Sequence, residues 1–264
     1  MSATAAEALQ IERHGHCLTM RFNRPEKMNA FSPEMYHRLA QAYYLLEHDG
    51  ELRCGLLCAA GPNFTSGLEL DKWAPIFAAG HMPTLNEGEL DPFGLTGPRL
   101  SKPIVMAAQG YCYTVGMELM LNTDLRVVTE DIKLAQIEVK RGIYPCGGAT
   151  IRLQEEIGWA NAQRYLMTGD TITAAEAYRM GLVQAVVDAE QLMPTAEAWL
   201  QKIVAAAPLG VQASLRSSRH ARLHGERAAT ETLFDDMISV MQSEDAKEGV
   251  ASFMERRAAR FVGR

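Results

Sequence analysis

Apolar and polar positions alternate along residues 16–22, HCLTMRF, and this period of two predicts a strand that Asn23-Arg24-Pro25 ends. Ser32-Pro33-Glu34 then opens a helix. Ser32 suits the N-cap and Pro33 the first helical position, and Glu34 faces the positive end of the dipole. Asp49-Gly50 ends that helix after His48. Short apolar runs at 54–60, 103–109 and 124–130 predict buried strands, and 132–139, IKLAQIEV, predicts another. Between the first two runs, residues 61–73 read as a loop that opens a helix near Leu68. Strand, glycine-containing turn, helix, strand: this order predicts an α/β fold with a mostly parallel sheet.

After residue 145 the pattern turns helical. Thr173 and Glu176 fit a capping box, and Gly181 fits the position just past a helix. Residues 189–206, 208–225, 226–242 and 245–259 read as helices. Residues 78–100 hold four glycines and three prolines with little periodicity, and a loop of that length is usually functional or mobile.

Composition narrows the function classes. The chain has 264 residues, 47% of them apolar, enough for one large domain or a core with a smaller appendage. The net charge of −6 leaves no global basic field for nucleic acid or an anionic membrane. An anionic ligand would need local basic groups or helix N-termini. Cys17, Cys54, Cys58, Cys112 and Cys146 are odd in number and lie in or beside apolar stretches. They are expected to be buried thiols in a reducing compartment, which points to the cytoplasm. Residues 1–16 carry acids and no apolar leader segment, and no apolar run reaches about eighteen residues, so neither secretion nor membrane spanning is expected.

Metal and nucleotide chemistry find little support. His220 and His224 share a helix face but lie in a basic segment without an acidic partner, which reads as a solvated face. Cys54 and Cys58 have no second ligand pair nearby, so no metal is expected. Phosphate-loop and nucleophile-elbow motifs are missing, and Gly147-Gly148 reads as close backbone packing. Carboxylates remain. Glu118 lies within an apolar run, where an unpaired charge is costly. Glu138 follows an apolar strand. Each acid has a bland alternative: Glu118 as an outward-facing helix residue, Glu138 as the partner of Lys140 or Arg141. Together, two acids just past buried strands of a parallel sheet stand where α/β sites gather. Two strand-to-helix turns, 65–70 and 113–119, each expose backbone N–H groups, and two such groups aimed at one point make an oxyanion hole. The residues alone therefore suggest an enolate-like oxygen held by two N–H groups, with two glutamates moving protons.

Several stretches carry a resemblance along nearly the whole chain: NRPEKMNAF (23–31), NFTSGLEL (63–70), KPIVMAAQGYCYTVGMELMLNTDLRV (102–127), LAQIEVKRGIYPCGG (134–148), LMTGDTITAAEAYRMGLVQAVV (166–187) and SEDAKEGVASFMERRAARF (243–261). In these the sequence resembles the crotonase, or enoyl-CoA hydratase/isomerase, superfamily. The resemblance implies a spiral core of parallel sheet turns flanked by helices (residues 1–200) and a helical C-terminal oligomerisation region (residues 201–264). It implies a homotrimer or homohexamer, an acyl-CoA substrate and a place in fatty acid metabolism; some relatives bind nucleic acid, but the charge and apolar runs above lead to the expectation of no nucleic-acid or membrane partner. It implies no metal or other cofactor, coenzyme A being part of the substrate.

The same resemblance carries roles residue by residue. Glu118 would orient and deprotonate the water that adds to a 2-enoyl-CoA, and Glu138 would deliver the proton to the α carbon. The amides of Leu68 and Val115 would hold the thioester oxygen. Lys27, Ala30, Ser66, Gly67, Lys72 and Phe253 would contact CoA, with Lys247 and Arg256 near it, some from a neighbouring subunit. Trp73, Phe77, Phe93 and Tyr144 are candidates for the acyl pocket. The chain departs from the family pattern at Val115, where glycine is common, at Leu68, where a small residue is common, at Glu69 for the usual aspartate, and at Pro62 for a basic residue. Hydration of a 2-enoyl-CoA is the first expectation. Isomerisation, carnitinyl-type dehydration, an aromatic hydratase-lyase reaction and a non-catalytic acyl-CoA scaffold are the alternatives.

Overall fold

The chain first turns back on itself at Gly15, whose φ of 59° suits a residue without a Cβ. In the computed structural model, which describes residues 5–264, a single helical turn α1 (Ala5–Ala8) leads into β1 (Leu9–His14). β1 pairs antiparallel with β2 (Cys17–Phe22), the alternating stretch. The expectation about a leader rests in part on residues 1–4, which lie outside the described residues. Ser32 caps α2 (Pro33–His48) by accepting a hydrogen bond from the Met35 N–H. The apolar runs become β3 (Cys54–Ala59), β4 (Ile104–Ala108) and β6 (Leu125–Thr129). With β9 (Ala185–Val187) they complete a six-stranded sheet in the order β1-β2-β3-β4-β6-β9, parallel after the first pair. A second sheet joins β5 (Tyr111–Tyr113), β7 (Lys133–Ala135) and β8 (Ile172–Thr173).

Helices cover both faces of the larger sheet, which explains why its strands read as continuous apolar runs. One face packs Leu56, Val105 and Val127 against Leu192, Ala196 and Leu200 of α8 (Leu192–Ala205). The other packs Met20, Leu57 and Met106 against Met35, Leu39 and Leu46 of α2. α3 (Leu70–Ala78) and α4 (Val115–Met120) flank the site described below. α5 (Ala149–Ile157), α6 (Trp159–Thr168) and α7 (Ala174–Arg179) follow, the last capped by the Thr173 hydroxyl. α9 (Pro208–His224), α10 (Glu226–Met241) and α11 (Glu244–Glu255) end the chain. Residue 200, the expected boundary, lies inside α8. Among the described residues no helix is long and apolar enough to cross a membrane.

The structure corrects three expectations. The strand expected over 132–139 stops at Ala135, opposite Tyr113, because its partner β5 ends there: the Thr114 N–H makes the last ladder bond, to the Ala135 carbonyl, and the Thr114 backbone then turns away. The chain then turns into a short 3-10 helix, Glu138–Arg141. The helix expected near Leu68 begins at Leu70, because Leu68 still pairs with Phe31. Cys146 is exposed, unlike the other four thiols, since it stands in the turn ahead of α5 and not in a strand. In keeping with the helical pattern after residue 145, residues 149–168 form α5 and α6, with Gly158 between them.

Candidate active site

Strand β4 delivers the chain to β5 and then to Thr114, which has φ 49° and ψ −110°. A β-branched residue at positive φ is a genuine backbone outlier, and such strain concentrates at functional sites. The turn it makes starts α4 at Val115, whose N–H, as the first of a helix, has no intrahelical acceptor. A second loop meets this turn. Gly67 has φ 119°, and a Cβ there would sit 2.7 Å from the Thr114 hydroxyl. The next residue, Leu68, pairs with Phe31 as in a parallel sheet: Phe31 donates to the Gly67 carbonyl and accepts from the Glu69 N–H. That pairing turns the N–H of Leu68 away from Phe31. Leu68 and Val115 line the same cavity.

Glu118 lies one turn along α4 and is buried, with no outward-facing position. Its Oε1 accepts the Gly147 N–H at 2.5 Å and the Ala149 N–H at 3.5 Å. Burial, and then the neighbouring Glu138 carboxylate, push its pKa up to about 8. Glu138 opens the 3-10 helix after β7, and burial pushes its pKa up to about 7. Its Oε2 is buried and finds no hydrogen-bond partner among the described residues. Pairing with Lys140 does not occur, because Lys140 turns to Asp170 at 3.7 Å. Two carboxylates thus share one water-poor site, where burial disfavours ionisation of both and the Glu138 charge disfavours it further at Glu118.

The cavity brings Leu68, Val115, Glu118 and Glu138 together with Trp73, Phe77, Phe93 and Tyr144. Its volume is about 30 Å³, enough for a water beside the carboxylates. Trp73 is fixed by its indole N–H, which donates to the Phe31 carbonyl at 2.8 Å, by stacking on Phe31 and by tilted packing against Phe77. Tyr144 is largely exposed at the rim. Met82, Ile143, Cys146 and Gly147 also line the cavity and went unrecognised in the sequence as site residues. Only Gly147 carried a signal, in the Gly147-Gly148 pair: a Cβ on it would fall 2.5 Å from the Glu118 carboxylate.

Beside the cavity, the loop 24–31 is stitched to the loop 63–69. The Ser66 N–H donates to the Met28 carbonyl, the Thr65 hydroxyl to the Asn29 carbonyl and the Asn29 side chain to the Asn63 carbonyl; within each loop, the Gly67 N–H donates to the Thr65 hydroxyl and Arg24 to the Ala30 carbonyl. Glu69 gathers the cations here: Arg24 at 2.6 Å, Lys72 at 3.1 Å and Lys27 at 3.7 Å. Burial alone would raise Glu69, but Arg24 and Lys72 outweigh it and hold the carboxyl below its usual range. Lys27 and Lys72 keep partly exposed side chains at this mouth. Phe253 is not brought to the cavity. It stands exposed on α11 and lines a separate apolar groove with Leu209 and Met241. Among the described residues no group of three or more His, Cys, Asp and Glu side chains is placed to hold a metal ion.

Comparison with known proteins places this geometry in context. The family profile described as enoyl-CoA hydratase/isomerase matches residues 12–264. The chain is 38% identical to enoyl-CoA hydratase EchA19 of Mycobacterium tuberculosis over 96% of each chain. It is 33% identical to (E)-benzylidenesuccinyl-CoA hydratase of Thauera aromatica, over 96% of this chain and 98% of that one. A crystal structure of a probable enoyl-CoA hydratase/isomerase from Mycobacterium abscessus superposes with a TM-score of 0.94 at 44% identity, covering 98% of this chain and 99% of that one.

Proposed function

From the premise that the chain belongs to the enoyl-CoA hydratase/isomerase family and is an enzyme of enoyl-CoA hydratase type, we propose that it adds water across the conjugated double bond of a 2-enoyl-CoA, using Glu118 and Glu138 on one enolate. The observation that carries this reading is one cavity lined by both buried carboxylates and by the two residues, Leu68 and Val115, whose backbone N–H groups are turned from secondary-structure partners.

The thioester oxygen accepts from the Leu68 and Val115 amides. As electrons move from the double bond to that oxygen, the amides stabilise the negative charge that develops. Only the backbone is needed, so the side chains at 68 and 115 leave this function intact. Glu118, its carboxylate oriented by the Gly147 N–H, holds the water and takes its proton as oxygen bonds to the β carbon. Glu138, with an oxygen free of protein partners, delivers a proton to the α carbon. The product is a 3-hydroxyacyl-CoA, and the pair returns to its starting proton count. The reaction so written uses no cofactor beyond the coenzyme A of the substrate. Lys27 and Lys72, with the backbone of Ala30, Ser66 and Gly67, form the mouth at which the CoA portion enters, and Trp73, Phe77 and Tyr144 line the acyl side.

The test is loss of enoyl-thioester absorbance with Glu118→Gln and Glu138→Gln. Each is expected to lower kcat by about 10²-fold or more. Wild-type rates in both variants would overturn the mechanism. The helical region 201–264 is proposed to carry assembly into trimers or hexamers, a reading supported by exposed Phe234, Met237 and Phe253. Light scattering that returns a monomer mass would reject it.

A further inference from the structure

At the end of α4 away from Val115, residues 121–124 lead into β6 and open onto a second cavity, of about 250 Å³. It lies at the amino-terminal ends of β4 and β6, where the Asp124 carboxylate accepts the Ile104 N–H. Four guanidinium groups line it, from Arg99, Arg126, Arg219 and Arg222, against two carboxylates, Asp124 and Glu156.

The partners of these cations leave an excess. Arg219 pairs with Asp124 at 2.9 Å. Glu156 is shared by Arg126 and Arg222, each at 3.2 Å, and Arg222 also pairs with Glu155, so Arg99 is the cation left over. Arg99 donates to the Asn122 side-chain carbonyl at 2.6 Å and has no carboxylate within ion-pair distance among the described residues. Arg126 has a side chain only 4% exposed, and its Nε is buried without an acceptor. Arg152, behind the cavity, also spends its donors on carbonyls, those of Phe93 and Gly94. Burial, then repulsion from Arg152 and Arg219, push the Arg99 pKa down to about 10. Buried guanidinium groups are ordinarily paired, and a donor left without an acceptor is costly. A concave site with surplus fork-shaped donors matches an anion that offers several oxygens.

We propose that this cavity binds a small oxyanion of the phosphate or carboxylate class, held by Arg99 and Arg126, at a place separate from the acyl-CoA cavity. None of its lining residues belongs to the catalytic cavity. The two sites lie at opposite ends of α4.

The experiment is calorimetric titration of the full chain with inorganic phosphate at constant ionic strength, chloride balancing the charge, since general screening would otherwise mimic binding. Expected is saturable binding of one phosphate per chain, unaffected by saturating free coenzyme A. Arg99→Gln is expected to weaken it at least about tenfold. Arg99→Lys is expected to fall between the two, because an ammonium keeps the charge and loses the fork. Arg222→Gln, at a more exposed position, serves as the second variant should Arg99→Gln not fold, and is expected to weaken binding in the same direction. Non-saturable heats, unchanged affinity in the variants, or competition by coenzyme A would overturn the proposal. So would a fall in oligomer mass in Arg99→Gln without phosphate binding in the wild type, which would mark the cavity as the seat of a neighbouring chain's carboxylate.

Discussion

Gly147→Ala isolates the position of one carboxylate. A Cβ at residue 147 would stand 2.5 Å from Glu118 Oε2, 2.7 Å from its carboxyl carbon and 3.1 Å from Oε1. Ordinary contact lies near 3.5 Å, so the carboxylate must retreat by roughly 1 Å. It cannot do so and keep the 2.5 Å hydrogen bond from the Gly147 N–H. The backbone itself accepts alanine, since Gly147 is not among the glycines at positive φ, unlike Gly148 at 111°. A misplacement of about 1 Å at a reacting group costs about 10²-fold in rate, or about 2.7 kcal/mol of barrier. The assay is enoyl-thioester hydration, with a thermal melt beside it. Expected is a kcat about 10²-fold down and a melting temperature within a few degrees of wild type, because the displaced group is the free end of a side chain. The same substitution in a Glu118→Ala background is expected to be nearly silent, since nothing remains for the methyl group to displace. A wild-type rate for Gly147→Ala, or an equal loss in the Glu118→Ala background, would refute the reasoning.

Further outcomes follow from the same geometry. Because burial raises both glutamates, and the Glu138 charge raises Glu118 further, to about 8 for Glu118 and about 7 for Glu138, the pair holds a single proton only near neutral pH. The rate profile is expected to be a bell: below this window both acids are protonated and no base remains, above it both are ionised and no acid remains. In Glu138→Gln the remaining activity should show one limb, moved downward because the charge that raises Glu118 is gone. A flat profile from pH 6 to 9 would contradict this. At Thr114, φ 49° and ψ −110° are conformations suited to glycine. Thr114→Gly is therefore expected to be about 1 kcal/mol more stable than Thr114→Ala by denaturant unfolding, and equal stabilities would remove the strain argument.

Local chemistry made much of this protein legible in the sequence. Alternation at 16–22, continuous apolar runs at β3, β4 and β6, Ser32-Pro33 at the head of α2 and Thr173 at the head of α7 each state a local preference that the fold keeps. Glu118 was conspicuous for the same kind of reason, a carboxylate inside an apolar run. Several motifs in a fixed order tie the distant turns 65–70 and 113–119 to one site, which no periodicity does.

Long-range contacts decided the rest. The strand over 132–139 stops at Ala135 because its partner β5 ends at Tyr113 and the chain turns away at Thr114, some twenty residues away in sequence. The loop 78–100 has no period to read, and it is ordered by side chains set in other elements: Glu89 meets His37 of α2 at 2.9 Å, and Arg152 of α5 holds the Phe93 and Gly94 carbonyls. Glu69 reads as a variant of a motif acid until the fold brings Arg24, Lys27 and Lys72 to it. Sequence alone determined the buried strands β2, β3, β4 and β6, the capped helices α2 and α7, and that Glu118 and Glu138 follow apolar strands, because those depend on neighbours a few residues away. Only the tertiary structure decided that the acids are buried beside each other with raised pKa values, that Gly147 holds one of them, and that four arginines meet at the far end of α4. Burial and charge proximity depend on chain segments far apart in sequence, and no local pattern encodes them.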